Sequence, residues 1–250
     1  MFNRRFFSLC MGLQCALMAT QASAGISLSA TRLVFDGEHR EVSIKVRNNG
    51  DDLLIQSWID GDGSTAGSAP FAVTPPLARI LAKQQQLLRV IYEGTGMPTD
   101  KESVVWLNVQ EIPQASKEKN TLQLAVRQRI KVFFRPPGLA TKAYLAPKQL
   151  LWQIGEQEGH ALLKITNPGL YHVSMSDITL QFGAKTEHPV DSMMIAPGET
   201  KSFTLKGTKN ANYSTLTFSS INDYGAQDRY KATLNGNSAV SATAVQKNAD

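Results

Sequence analysis

The sequence predicts an all-β protein made of two antiparallel β-sandwiches in tandem. Three observations carry this reading. Apolar and polar residues alternate with period two along much of the chain, turn-forming clusters separate the alternating runs, and the pattern breaks once near the middle and restarts. The 250 residues are 42% hydrophobic and 19% charged, a globular composition that excludes disordered, collagen-like and coiled-coil chains. No run reaches the ~18 consecutive apolar residues of a membrane-spanning helix.

The elements follow in order. Residues 1–24 read as an export leader: Arg4 and Arg5 form a basic start, Phe6 to Ala19 is a short apolar run, and Ala22-Ser23-Ala24 has the small-x-small pattern of a cleavage site. The working chain then begins at Gly25. Both cysteines, Cys10 and Cys15, lie in the leader, so no thiol or disulfide remains after its removal. Loss of Arg4 and Arg5 takes the formal charge from +5 to +3, which gives no reason to expect nucleic-acid binding. Export also separates the chain from ATP, and any mechanism has to run without a nucleotide.

Beyond Gly25, Val42, Ile44 and Val46 alternate with polar residues, as do Ala161, Leu163 and Ile165, Phe203 and Leu205, and Leu216 and Phe218. Each set reads as a half-buried strand. Asn48-Asn49-Gly50-Asp51, Asp60-Gly61-Asp62-Gly63, Asn167-Pro168-Gly169 and Ala196-Pro197-Gly198 read as turns. Leu77 to Val90 fits helix and strand equally well. Pro136-Pro137-Gly138 and Pro147 interrupt the pattern, which places a boundary at about residues 142–145. The predicted units are residues 25–143 and 144–240, each near the ~100 residues of an immunoglobulin-like sandwich. The polar, small-residue end of the chain from Asn235 is expected to fray, with residues 241–250 a disordered tail.

The stretch from Thr121 to Arg135 reads as a strand of unusual length. Leu122, Leu124 and Val126 alternate with Gln123, Ala125 and Arg127, and Arg129-Ile130-Lys131-Val132-Phe133-Phe134-Arg135 follows. Strands average about 5–6 residues. A strand that outruns its sheet leaves backbone groups and an apolar row without partners, so it is either covered or an interface. Strict alternation puts Lys131 on the opposite face from Leu122, Leu124 and Val126.

Five motifs then occur in order: Thr31-Arg32-Leu33-Val34-Phe35-Asp36-Gly37, Thr74-Pro75-Pro76-Leu77-Ala78-Arg79, Leu107-Asn108-Val109-Gln110-Glu111-Ile112-Pro113, Arg129-Ile130-Lys131-Val132-Phe133-Phe134-Arg135-Pro136, and Ile221-Asn222-Asp223-Tyr224-Gly225. Together they resemble the PapD-like periplasmic pilus (fimbrial) chaperones over essentially the whole chain after residue 24. The resemblance implies two immunoglobulin-like sandwiches set at an angle, with an inter-domain cleft. It implies a periplasmic chaperone that captures a pilus subunit, supplies the subunit's missing strand, and delivers it to an outer-membrane usher. Arg32 and Lys131 match the pair that anchors the subunit's terminal carboxylate, for which a guanidinium fork and an ammonium are suited. Leu122, Leu124 and Val126 match the row that fills the subunit's groove, worth roughly 5–9 kcal/mol gross if fully buried. Glu102, Arg135 and Asp223 match an ion network between the domains. Ala226-Gln227 departs from the family's usual second glycine, Pro75-Pro76 is a candidate for a cis bond, and the short Gln114–Asn120 connection resembles a short-loop subgroup associated with adhesive, rod-forming pili. The family precedent leaves room for self-association of the free protein, and implies no membrane insertion.

Other constellations carry little. His39, His160, His172 and His188 lack the spacing of a helical metal pair and read as surface or turn residues, so no metal is expected. Asp60-Gly61-Asp62-Gly63-Ser64 hints at a calcium loop, but Phe71 stands where a bidentate glutamate belongs. Asn212-Tyr213-Ser214 is a formal glycosylation triplet of no weight. Without Gly-x-Ser-x-Gly, a phosphate loop or a dinucleotide fingerprint, neither an enzyme nor a cofactor is expected. A secreted sugar-binding module would favour aromatics on loops, whereas Trp58, Trp106 and Trp152 stand within apolar runs.

Overall fold

The computed structural model describes residues 25–61, 69–114, 120, 122–206 and 213–246. The leader, Asn212, Thr121, and most of the Asp60–Ser64 and Gln114–Asn120 segments lie outside the described residues. The first domain contains β1 (Ile26–Leu28), β2 (Arg32–Asp36), β3 (Glu41–Asn48), β4 (Leu53–Asp60), β5 (Phe71–Thr74), β6 (Leu77–Ile80), β7 (Gln85–Tyr92), β8 (Ser103–Pro113) and β9 (Arg127–Arg135). Its sheets have the orders β1-β3-β7-β5 and β2-β9-β8-β4-β6. The ambiguous stretch from Leu77 to Val90 is therefore two strands, β6 and β7. The cis peptide in this region is Thr74–Pro75, one bond before the pair singled out from the sequence.

A 3-10 turn (Ala143–Leu145) and the short helix α1 (Ala146–Gln149) lead into the second domain. There follow β10 (Leu151–Gln157), β11 (His160–Thr166), β12 (Val173–Phe182), β13 (Lys185–Ile195), β14 (Thr200–Thr204), β15 (Tyr213–Ile221), β16 (Gln227–Asn235), β17 (Val240–Ser241) and β18 (Thr243–Ala244). They form sheets ordered β14-β11-β10-β17 and β13-β12-β15-β16-β18. The end of the chain differs from the frayed tail expected. Ser241 pairs with Leu151, Thr243 with Lys231, and Ala242 between them is buried in the core. Small residues let the chain lie close across the end of the sandwich, and pairing on both sides satisfies its backbone. Residues 247–250 lie outside the described residues.

Period-two patterning explains the packing. In β3, Ile44 and Val46 point into the first core while Glu41, Ser43, Lys45 and Arg47 face solvent. Phe35, Phe71, Tyr92 and Phe134 meet across the two sheets, with ring centroids 4.7–6.2 Å apart. Edge-to-face and tilted pairs of this kind add to the stabilisation from area burial. In the second domain Trp152 packs on Phe218 at 4.8 Å, and Phe218 stacks on Tyr230 at 5.3 Å. With no cysteine among the described residues, these aromatic clusters join the sheets where an antibody-type domain would carry a disulfide.

One strand breaks the antiparallel rule. β1 pairs antiparallel with β3, but after Leu28 the chain crosses to the other sheet, where β2 runs parallel to β9. All other ladders among the described residues are antiparallel.

Candidate functional site

The sheet switch leaves an edge uncovered. β2 covers β9 only from Lys131 to Arg135, with Arg32 as the register partner of Lys131. On its other side β9 pairs with β8 from Gln110↔Arg127 to Ser103↔Phe134 without a register shift. One further bond, from Glu111 N to the carbonyl of Val126 at 2.9 Å, extends that ladder. From residue 122 to 130, then, the side of the chain turned away from β8 carries no strand among the described residues, and the cationic pair stands where the cover begins.

The strand is shorter than its sequence suggests. It spans 9 residues, Arg127–Arg135, rather than the whole of Thr121–Arg135. Residues 122–126 lie beyond it: the β8–β9 ladder ends at Gln110↔Arg127 and the Glu111–Val126 bond, while β8 itself runs on to Pro113 against β4. Leu122, Leu124 and Val126 are 84%, 72% and 45% exposed. The regular ladder puts Val126 on the core face with Ile130, Val132 and Phe134, while Arg127, Arg129, Lys131 and Phe133 lie on the opposite face.

Arg32, the first residue of β2, is half-buried at the junction of the domains. Its Nη1 donates to the carbonyl of Ile221 in the second domain at 3.0 Å, and its guanidinium carbon lies 5.6 Å from the Phe133 ring centre. Its Nε is buried and finds no acceptor among the described residues. Burial lowers the affinity of this guanidinium for its proton, and the charges of Asp223 and Glu102 work in the other direction. Lys131 extends over Trp106, its register partner on β8, with Nζ 5.4 Å from the indole centre. Arg129 lies over the same indole at 4.2 Å, so Trp106 is flanked by two cations. Trp58 and Trp106 are thus only partly buried, on the outer face of the sheet; of the three tryptophans Trp152 alone is fully enclosed.

Glu102, Arg135 and Asp223 come together in the inter-domain cleft. Arg135 Nε donates to Glu102 Oε2 at 2.7 Å, and its two terminal nitrogens donate to the two oxygens of Asp223, each at 2.7 Å. Burial opposes the charge on Arg135, yet the hydrogen bonds to Asp223 and the charge of Glu102 outweigh it, and the guanidinium stands above its ordinary value. Asp223 is aimed by its turn: Asn222 Oδ1 accepts from the backbone of Tyr224 and Ala226, and Gly225 takes φ +82°. A side chain at 225 would also meet Thr31 Oγ1 of the first domain at 2.7 Å.

Sequence reasoning missed one member and misread it. His172 is not a surface histidine; its side chain is 8% exposed, and its backbone N and Nδ1 reach Glu102 Oε1 at 2.8 and 3.0 Å. No spacing in a single chain announces this, because the contact spans 70 residues and crosses the domain boundary. The other histidines are not enclosed in this way: His39, His160 and His188 are exposed, His188 beside Thr179. Among the described residues no cluster of metal-ligating side chains is found, and no helix is long and apolar enough to cross a membrane.

Comparison with known proteins adds to this geometry. Residues 25–140 match the family model of the pili and flagellar-assembly chaperone PapD N-terminal domain, and residues 145–232 match that of the pili assembly chaperone PapD C-terminal domain. The chain is 38% identical over 236 residues to the probable fimbrial chaperone YadV of Escherichia coli K12, covering 90% of this chain and 96% of that one. The crystal structure of YadV superposes with a TM-score of 0.73 at 37% identity, over 84% of this chain and 100% of that one. The Salmonella enterica SafA pilin in complex with the SafB chaperone gives 0.69 at 25% identity, over 86% of this chain and 99% of the matched chain.

Proposed function

This chain belongs to the PapD family of pilus-assembly chaperones, and from that premise we propose that it captures pilus subunits in the periplasm by donating a strand and passes them to an outer-membrane usher. The observation that carries the reading is the uncovered edge of β9 that ends against Arg32 and Lys131. A subunit strand laid along residues 122–130 pairs its backbone with that edge. Its terminal carboxylate then meets the guanidinium and the ammonium at the point where β2 takes over. Charge-assisted bonds to a carboxylate are about twice as strong as neutral ones, and the buried Nε of Arg32 supplies a donor already withdrawn from water.

Leu122, Leu124 and Val126 project from the same segment and complete the subunit's core while its strand is missing. Backbone pairing supplies affinity with little sequence demand, and the apolar row and the carboxylate anchor set the register. Glu102, Arg135 and Asp223, with His172, hold the two domains so that Arg32 faces the edge. No nucleotide enters, since the next subunit's own extension displaces the donated segment. The leader at residues 1–24 directs export and is then removed.

The reading is tested by co-expressing a pilus subunit with the protein carrying Arg32→Ala or Lys131→Ala. Both variants fold, by circular dichroism, and both fail to co-purify with the subunit. Normal capture by either variant removes that residue from the anchor, and normal capture by both overturns the assignment.

A further inference from the structure

The geometry points to a binding site in this chain for its own processed N-terminus: the buried Glu111 carboxylate receives the α-ammonium of Gly25 once the leader is cut off. The inference rests on the export reading but concerns what cutting produces. Glu111 is 5% exposed and lies on the core face of β8, and none of the ion pairs among the described residues includes it. A buried carboxylate without a cation is costly. The nearest chain is the start of β1, where Ile26 N donates to Glu111 Oε1 at 2.7 Å.

Gly25 is pressed against the same carboxylate. A Cβ there would stand 2.6 Å from Oε2 and 2.8 Å from Oε1, so no larger residue fits without moving Glu111. The nitrogen of Gly25 lies about 2.5 Å from that Cβ position by bond geometry, which puts the nearer oxygen within about 5 Å of it. The residue is also fixed. Its carbonyl accepts from Asn49 N at 2.8 Å, the next side chain, Ile26, is 1% exposed, and Gln128 Nε2 donates to the Ile26 carbonyl at 2.8 Å. A peptide nitrogen in this position brings no charge, whereas a free amine brings a full one to a site already held in place.

Location gives the pair a consequence. Glu111 N makes the last bond of the β8–β9 ladder, to Val126, so the new ion pair sits at the root of the exposed 122–126 segment. Other charges do not compete for it. Lys45 and Arg47 of β3 and Arg127 and Arg129 of β9 are exposed on outer faces, Asp52 is paired with Arg79, and Lys83 donates to the Asn49 carbonyl. The residue across from Glu111 on β4 is Ile55.

The test uses protein purified from the periplasm. N-terminal sequencing is expected to begin at Gly25; a different first residue overturns both the cleavage site and the ion pair. With Gly25 first, NMR titration of the Gly25 α-amine is expected to give a pKa at least one unit above the ordinary ~7.7–8.0, and Glu111→Gln to return it to that range. Adding one serine before Gly25 is expected to lower the denaturation midpoint of the Glu111 protein and to cause no further loss in Glu111→Gln. An α-amine that titrates in the ordinary range, or additive losses from the serine and Glu111→Gln, overturns the proposal while leaving the export reading intact.

Discussion

Glu102 is a carboxylate withdrawn from water, 2% exposed, and the fold accommodates it by bringing donors to both oxygens: Arg135 to one, the backbone and ring of His172 to the other. Glu102→Gln keeps the shape and removes the charge. Arg135 retains both bonds to Asp223, so its charge is not stranded, and the expected loss is about 2–3 kcal/mol, below the about 3–5 of a buried pair broken outright. Glu41→Gln is the contrast, because its 3.5 Å pair with Arg89 is exposed on both sides and is worth about 0–1 kcal/mol. Urea denaturation of the two variants measures both numbers, and equal losses would show that burial does not set the strength of the network. Arg32 differs from both in having a buried N–H for which the described residues supply no acceptor.

At the scale of elements, the segment 122–126 is the clearest departure from ordinary strand economy. β9 stops being a strand opposite Gln110, although β8 runs on to Pro113 against β4, yet the alternation of Leu122, Leu124 and Val126 in the sequence continues past the last pair. In a self-sufficient sandwich such residues would be buried; here Leu122 and Leu124 are the two most exposed leucines among the large exposed hydrophobics. Leu124→Asp is therefore expected to leave the free protein's stability within about 0.5 kcal/mol, as for surface sites generally, while abolishing recovery of the subunit complex. Thermal denaturation of the free protein and co-purification with a subunit read the two effects separately. A large fall in the free protein's own stability would mean that the leucine packs within the chain. The sheet switch between β1 and β2 is the complementary device, since a first strand that stayed beside β9 throughout would cover the edge.

Over the whole molecule, what could be read from the sequence is what local pattern encodes. Alternation marks β3, β11 and β15, and the Pro136–Pro147 break spans the gap between the two family matches at residues 25–140 and 145–232, because strand burial is a period-two property and turns need particular residues. The parallel pairing of β2 with β9 and the His172–Glu102 contact were not legible, since each depends on how distant segments meet. The paired end of the chain was misread because composition alone reports no neighbour. The same whole-molecule view separates the domains by pH. Tyr171 and Tyr230, both buried in the second domain, are raised above the ordinary phenol value because burial disfavours the phenolate. A proton held more tightly in the fold contributes stability that is complete below the unfolded value of about 10 and is lost as pH rises through the folded value. The second domain is therefore expected to weaken above about pH 10, and Tyr230→Phe to remove part of that loss. Trp152 is enclosed in the second core, whereas Trp58 and Trp106 belong to the first domain, so Trp152→Phe shows by difference which fluorescence change belongs to which domain. A melting temperature of the second domain that stays flat from pH 9 to about 11 would mean that the two phenols are not coupled to its folding.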